Sequence, residues 1–154
     1  MRLALLRHGI AEDEAVSDHE RHLTTQGALE VERLVYTLRH QGWAPGVILH
    51  SPLVRTTETA AIVHRHYPGV ERRAEPVVAH GSLDAILELA AHHPDPVLVG
   101  HQPTMGRLAA RLIGAAPGSM PLERGAFALF EVELPLLRAG RLVLFTPPLR
   151  TGLL

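Results

Sequence analysis

Three short groups of residues in this chain have types and spacings that could do chemistry together: Arg7, His8 and Gly9; Ser51, Pro52 and Arg55; Gly100 and His101. Arg55 is the most telling. If a helix starts at Pro52 with Ser51 as its cap, Arg55 lies in or just after the first turn, where the positive end of the helix dipole disfavours a cation by roughly 0.3–1 kcal/mol. An arginine pointing into solvent would be the default for either cation alone. Taken with Arg7, the better reading is that two guanidiniums and a helix N-terminus face one anion. His8 and His101 extend it, because each directly follows an apolar run and each falls within reach of an arginine. A metal site is the rival explanation, with Asp18, His19 and His22 as possible further ligands. Arginines in the site would repel a dication, so no metal is expected.

The elements that must position these groups follow from the apolar pattern. Residues 2–6, 47–50 and 96–100 are short apolar runs bounded by turn signals, as buried parallel strands are, and residues 75–78 form a weaker strand between the second and the last. Helices are expected over 25–41, ending at Gly42, over 52–66, over 83–93 after a Ser82 cap, and over 104–113, ending at Gly114. Residues 126–134 and 141–145 read as a hairpin around Ala139 and Gly140. Alternating strands and helices imply an α/β fold, a three-layer αβα arrangement with a mostly parallel central sheet. On that frame all three groups sit at carboxyl ends of parallel strands, the edge where such sheets bind ligands.

Composition narrows the classes. At 154 residues the chain fits a single domain spanning 1–154. Fifteen basic against sixteen acidic residues leave a net charge of −1, without the basic field of nucleic-acid binders. There is no cysteine, which excludes disulfides and thiolate chemistry. The N-terminal apolar run is too short for a secretory signal or a membrane span, so a soluble cytoplasmic protein without membrane partners is expected. Of the 11 histidines, His40, His64, His66, His92 and His93 fall near helix ends and read as solvated surface residues. Nothing in the sequence fixes the oligomeric state; a monomer is expected.

LLRHG at residues 5–9, SDHERHLTTQG at 17–27, SPLVRTTETA at 51–60 and VGHQP at 99–103 together resemble the histidine phosphatase superfamily, with its phosphoglycerate-mutase-like fold. Among its branches the chain looks most like the short bacterial phosphohistidine phosphatases of the SixA type. RHG alone is a weak signal, but RHG, SPxxR and GH in this order are a strong one. The resemblance implies that His8 is the nucleophile that becomes a phosphohistidine, that Arg7 and Arg55 clamp the phosphate, and that His101 stabilises the transferring group. It makes Arg21 an auxiliary phosphate-binding residue and Asp18 a proton donor or orienter. No cofactor is implied. Such chemistry needs little beyond a nucleophile, positioning and charge stabilisation, and neighbouring arginines should keep a histidine nucleophile unprotonated.

Ester-cleaving members of the superfamily carry an acidic proton donor after the third strand. Here that stretch reads EPVVAHGSLDAI, with His80 and Gly81 at the expected place, Glu75 too early and Asp84 inside a helix. The loops read as short throughout, without a lid, which suits a phosphate presented on another protein. The expected function is therefore removal of phosphate from a histidine of a partner protein. The alternatives are a phosphatase for small phosphate esters and a catalytically silent phosphate-binding module.

Overall fold

Strands β1 (Arg2–Arg7), β2 (Val47–His50) and β4 (Pro96–Gly100) form where the sequence places its apolar runs, because side chains on both faces of each are buried. The computed structural model describes residues 1–133 and 140–150. Its six-stranded sheet has the order β3-β2-β4-β1-β5-β6. β3 (Glu71–Ala74), β2, β4 and β1 run parallel, while β5 (Phe127–Glu131) and β6 (Arg141–Thr146) add an antiparallel hairpin. The expected hairpin turn at Ala139 and the end of its first strand at Leu134 lie outside the described residues.

Alternation along the strands divides the core in two. Leu3, Leu5, Leu49, Leu98 and Phe130 face α4 (Leu83–Ala91) and α5 (Thr104–Leu112) through Ile86, Met105 and Leu108. Ala4, Leu6, Ile48, Val97 and Phe127 face α1 (Thr25–His40) and α2 (Val54–His66) through Leu34, Leu38 and Val63. Helices therefore cover both faces of the mostly parallel sheet. Among the described residues no helix is long and apolar enough to cross a membrane.

Most capping expectations hold. Gly42 and Gly114 stand at φ of 90° and 70° just past α1 and α5, and the Ser82 hydroxyl accepts from Ala85 N–H at 3.1 Å.

Four expectations need correction. The weak third strand at 75–78 is instead the short helix α3 (Pro76–His80), and β3 lies just before it. Its residues, ERRA, are all exposed at the sheet edge, so no apolar pattern marks them, while Pro76 suits a first helical turn. α2 starts at Val54 rather than Pro52, and its cap position is Leu53, not Ser51. His66 is not a solvated surface residue: its side chain is 11% exposed and bonds Glu32 at 2.7 Å. Finally, the β1–α1 connection is not short. It runs over residues 8–24 and carries a 3₁₀ turn, Asp18–Glu20, that packs on α2.

Candidate active site

Strand register brings the three sequence groups together. Arg7 on β1 is opposite Gly100 on β4, and His50 on β2 is opposite Val99. The residues that follow, His8, His101 and Ser51, thus emerge side by side at one carboxyl edge. The His8 and His101 ring centroids are 5.4 Å apart.

His8 is 5% exposed and held from several sides. Its backbone N–H donates to Gly100 O at 3.1 Å, and its carbonyl accepts from Gly125 N–H at 2.9 Å. The ring nitrogen Nδ1 is 2.7 Å from Gly9 O. A carbonyl can only accept, so Nδ1 carries the hydrogen and the lone pair of the neutral ring lies on Nε2. Gly9 N–H in turn donates to Thr59 Oγ1 at 3.2 Å. The start of α1 closes against this segment: a Cβ on Gly27 would stand 2.1 Å from Ile10 O, so only glycine allows the approach.

The arginines arrive from different elements. Arg7, at the end of β1, donates from Nη1 to Leu122 O at 3.0 Å. Arg55, second residue of α2 and 8% exposed, donates from Nη1 to Asp18 O at 2.8 Å and from Nη2 to Asp18 Oδ2 at 3.2 Å. Arg21 donates to the other Asp18 oxygen, Oδ1, at 3.1 Å, and to Glu12 O. Asp18 and Arg21 thus join the site from the β1–α1 connection, and both arginines hold the Asp18 carboxyl below its usual range, Arg21 most strongly. Glu75 lies 3.4 Å from Arg73, and Asp84 pairs with Arg111, so neither carboxylate belongs to the site. Among the described residues no cluster of three or more histidine or carboxylate side chains could hold a metal ion.

Three buried side-chain nitrogens lack a hydrogen-bond partner among the described residues: Arg7 Nε, Arg55 Nε and His101 Nδ1. Buried polar groups are nearly always satisfied, and all three of these belong to one small region with two positive charges. Two guanidiniums and an imidazole with unused hydrogen-bonding capacity can bind a polyvalent anion.

Burial pushes the His8 pKa down to about 3, with the charges of His101, Arg55 and Arg7 acting the same way against the Gly9 hydrogen bond. His101 is pushed down to about 4, again by burial first, then by Arg55, with Arg7 and His80 adding to it and Asp18 opposing. Both rings are therefore neutral at pH 7. A folded-state pKa below the unfolded value of about 6.5 means that the unfolded chain takes up protons first as pH falls. The contribution of these two rings to stability should accordingly be flat above pH 6.5 and decline below it, His8 giving about 1.4 kcal/mol per pH unit until pH nears its folded pKa. Urea denaturation across pH 8 to 4 measures this, and His8→Ala should flatten the slope. An unchanged slope in that variant would mean that His8 is protonated in the folded protein.

The family model of the histidine phosphatase superfamily (branch 1) matches residues 3–76. An uncharacterized protein of Picosynechococcus sp. is 38% identical over 117 residues, 71% of each chain. A crystal structure from Agrobacterium tumefaciens described as a phosphohistidine phosphatase SixA superposes with a TM-score of 0.82 at 26% identity, over 96% of this chain and 97% of that one. The chain belongs to the histidine phosphatase superfamily. Within it the fold is SixA-like: a second structure so described, from Nakamurella multipartitia, gives a TM-score of 0.78 at 29% identity over 96% of both chains.

Sequence reasoning reached the histidines and arginines of this superfamily member but missed what holds them. Thr59, the Leu122 carbonyl and Gly27 carry no local signal, because each meets its partner only through the fold. Ser51 reads in the sequence as a helix cap, a position that Leu53 holds instead. Its hydroxyl accepts from Leu53 N–H at 3.4 Å, but its closer contact, at 2.8 Å, is His101 Nε2.

Proposed function

We propose that the protein is a phosphohistidine phosphatase of the SixA type, acting on a phosphorylated histidine of a partner protein. The observation that supports the reading is that Arg7 Nε, Arg55 Nε and His101 Nδ1 are buried without a hydrogen-bond partner among the described residues, while the His8 and His101 rings stand 5.4 Å apart and the charges of Arg7 and Arg55 act on His8. The structural likeness to proteins described as SixA supports it.

In this reading Arg7, Arg55 and the auxiliary Arg21 clamp the phosphoryl oxygens, with Asp18 as the orienter that holds Arg21 and Arg55 in place. His8 Nε2 attacks phosphorus, a new N–P bond forms, and the bond to the substrate's imidazole nitrogen breaks. That imidazole leaves neutral, taking a proton from solvent. Water then attacks the phosphohistidine, releasing inorganic phosphate and one proton and restoring His8. Two guanidiniums and the His101 imidazole meet the charge on the equatorial oxygens, so the reaction needs no metal.

Substrate ranking tests the proposal. An alkoxide leaving from a phosphate monoester is strongly basic and benefits from an acid worth about 10²–10⁴ in rate. Two arginines hold Asp18 ionised, and Glu75 and Asp84 pair with arginines of their own, so none of these three carboxyls is free to donate that proton. A phosphohistidine protein should therefore give the highest kcat/KM, p-nitrophenyl phosphate a lower one and a sugar phosphate the lowest. A sugar phosphate as the best of the three would replace this reading with a small-ester phosphatase. No turnover of any, with phosphate still bound, would make the protein a silent binding module.

A further inference from the structure

Ser51 has a role at this site that a helix cap does not explain. It is fully buried, its backbone N–H donates to Val99 O at 3.1 Å, and its carbonyl accepts from Thr56 Oγ1 at 2.7 Å and from His50 Nδ1–H at 2.8 Å. The residue is therefore pinned between β4 and the first turn of α2, and its hydroxyl meets two groups, Leu53 N–H and His101 Nε2. Leu53 N–H can only donate, so Nε2 is the acceptor available to the Ser51 hydrogen among the described residues. Were the imidazole hydrogen on Nε2 instead, Ser51 Oγ would face two N–H donors and its own hydrogen would lack a buried acceptor, which is costly in low dielectric.

We propose that Ser51 is a positioning residue: its hydroxyl donates to His101 Nε2 and so holds His101 as the Nδ1–H tautomer, with that hydrogen aimed at the phosphoryl oxygens. The opposite tautomer would turn a lone pair of Nδ1 toward the anion and repel it. His101 Nδ1 is the atom left buried and unpartnered, as a donor reserved for a ligand would be. His8 reaches the complementary state by the same logic. Gly9 O holds its hydrogen on Nδ1, so one imidazole presents a lone pair and the other a donor. The inference rests on the reading of this site as a phosphoryl-transfer centre.

The test separates tautomer from turnover. Long-range ¹H–¹⁵N correlation spectra at pH 7 should show His101 with its hydrogen on Nδ1 in the unaltered protein. In Ser51→Ala that preference should be lost, and kcat for p-nitrophenyl phosphate should fall roughly ten- to a hundredfold with KM changing much less, as when other orienting hydrogen-bond partners are removed. Ser51→Thr, which keeps the hydroxyl, should retain the tautomer and most of kcat. A native His101 protonated on Nε2 overturns the inference without any variant being needed. So does Ser51→Ala that keeps the Nδ1–H form and full kcat. If the native tautomer is Nδ1–H but no phosphate compound is turned over, the functional reading fails and the tautomer assignment stands.

Discussion

His8→Ala should lower turnover of any phosphate substrate by at least about 10⁴-fold, the scale of loss when a covalent nucleophile is removed from an otherwise intact site. Substrate labelled with ³²P and quenched in mid-reaction should leave acid-labile, base-stable phosphate on His8 of the unaltered protein and none on the variant. The expectation rests on how little freedom the residue has. Its backbone is bonded to Gly100 and to Gly125, and its ring is tied to Gly9 O. The lone pair on Nε2 is therefore aimed by the sheet edge before any substrate arrives, and burial keeps it unprotonated. Label on His101 instead, or turnover in His8→Ala within tenfold of the native rate, would sink the mechanism. Because the ring is buried, thermal unfolding of the variant must show a cooperative transition before its inactivity is counted.

Arg55→Ala is expected to cost roughly 10²–10⁴-fold in kcat/KM, since Arg55 can make two charge-assisted hydrogen bonds to a phosphoryl group, each worth about 1.5–3 kcal/mol. Its guanidinium is already aimed. Nη1 and Nη2 hold the Asp18 carbonyl and carboxylate, while Nε is buried without a partner. Arg55→Lys keeps the charge but not the planar fork, and should recover only part of the loss. Inorganic phosphate as a competitive inhibitor gives the ground-state share: its Ki should rise in both variants, more in alanine than in lysine. A kcat/KM within tenfold of native for Arg55→Ala would show that Arg7 and Arg21 carry the anion without it.

The fold class, and the gathering of Arg7, His8, Arg55 and His101 at one sheet edge, were legible because both depend on short-range pattern. Apolar runs such as LALL and PVLVG must be buried on both faces, turn residues must end them, and whatever follows such a strand emerges at its carboxyl edge. That places Arg7, His8 and His101 from sequence alone, and the wrong sign of charge in the first turn of α2 marks Arg55. The local pattern failed where a segment's state is set by its neighbours. β3 is a polar edge strand that exists because β2 offers it a ladder, so ERRA carries no burial signal. Asp18 and Arg21 could equally have been loop surface. Only the path of residues 8–24 over α2 sets the Asp18 carboxylate on both arginines. Ser51 shows the limit most plainly. Its type and position fit a helix cap, and one weak contact agrees. The parallel register of β2 and β4 sets its hydroxyl against His101, fifty residues away in the chain. Periodicity and turn chemistry are properties of neighbouring residues and can be read in order. Strand register and the partner of a buried hydrogen bond are settled by non-local packing, so the sequence names candidate residues while the tertiary structure decides which group each imidazole nitrogen meets.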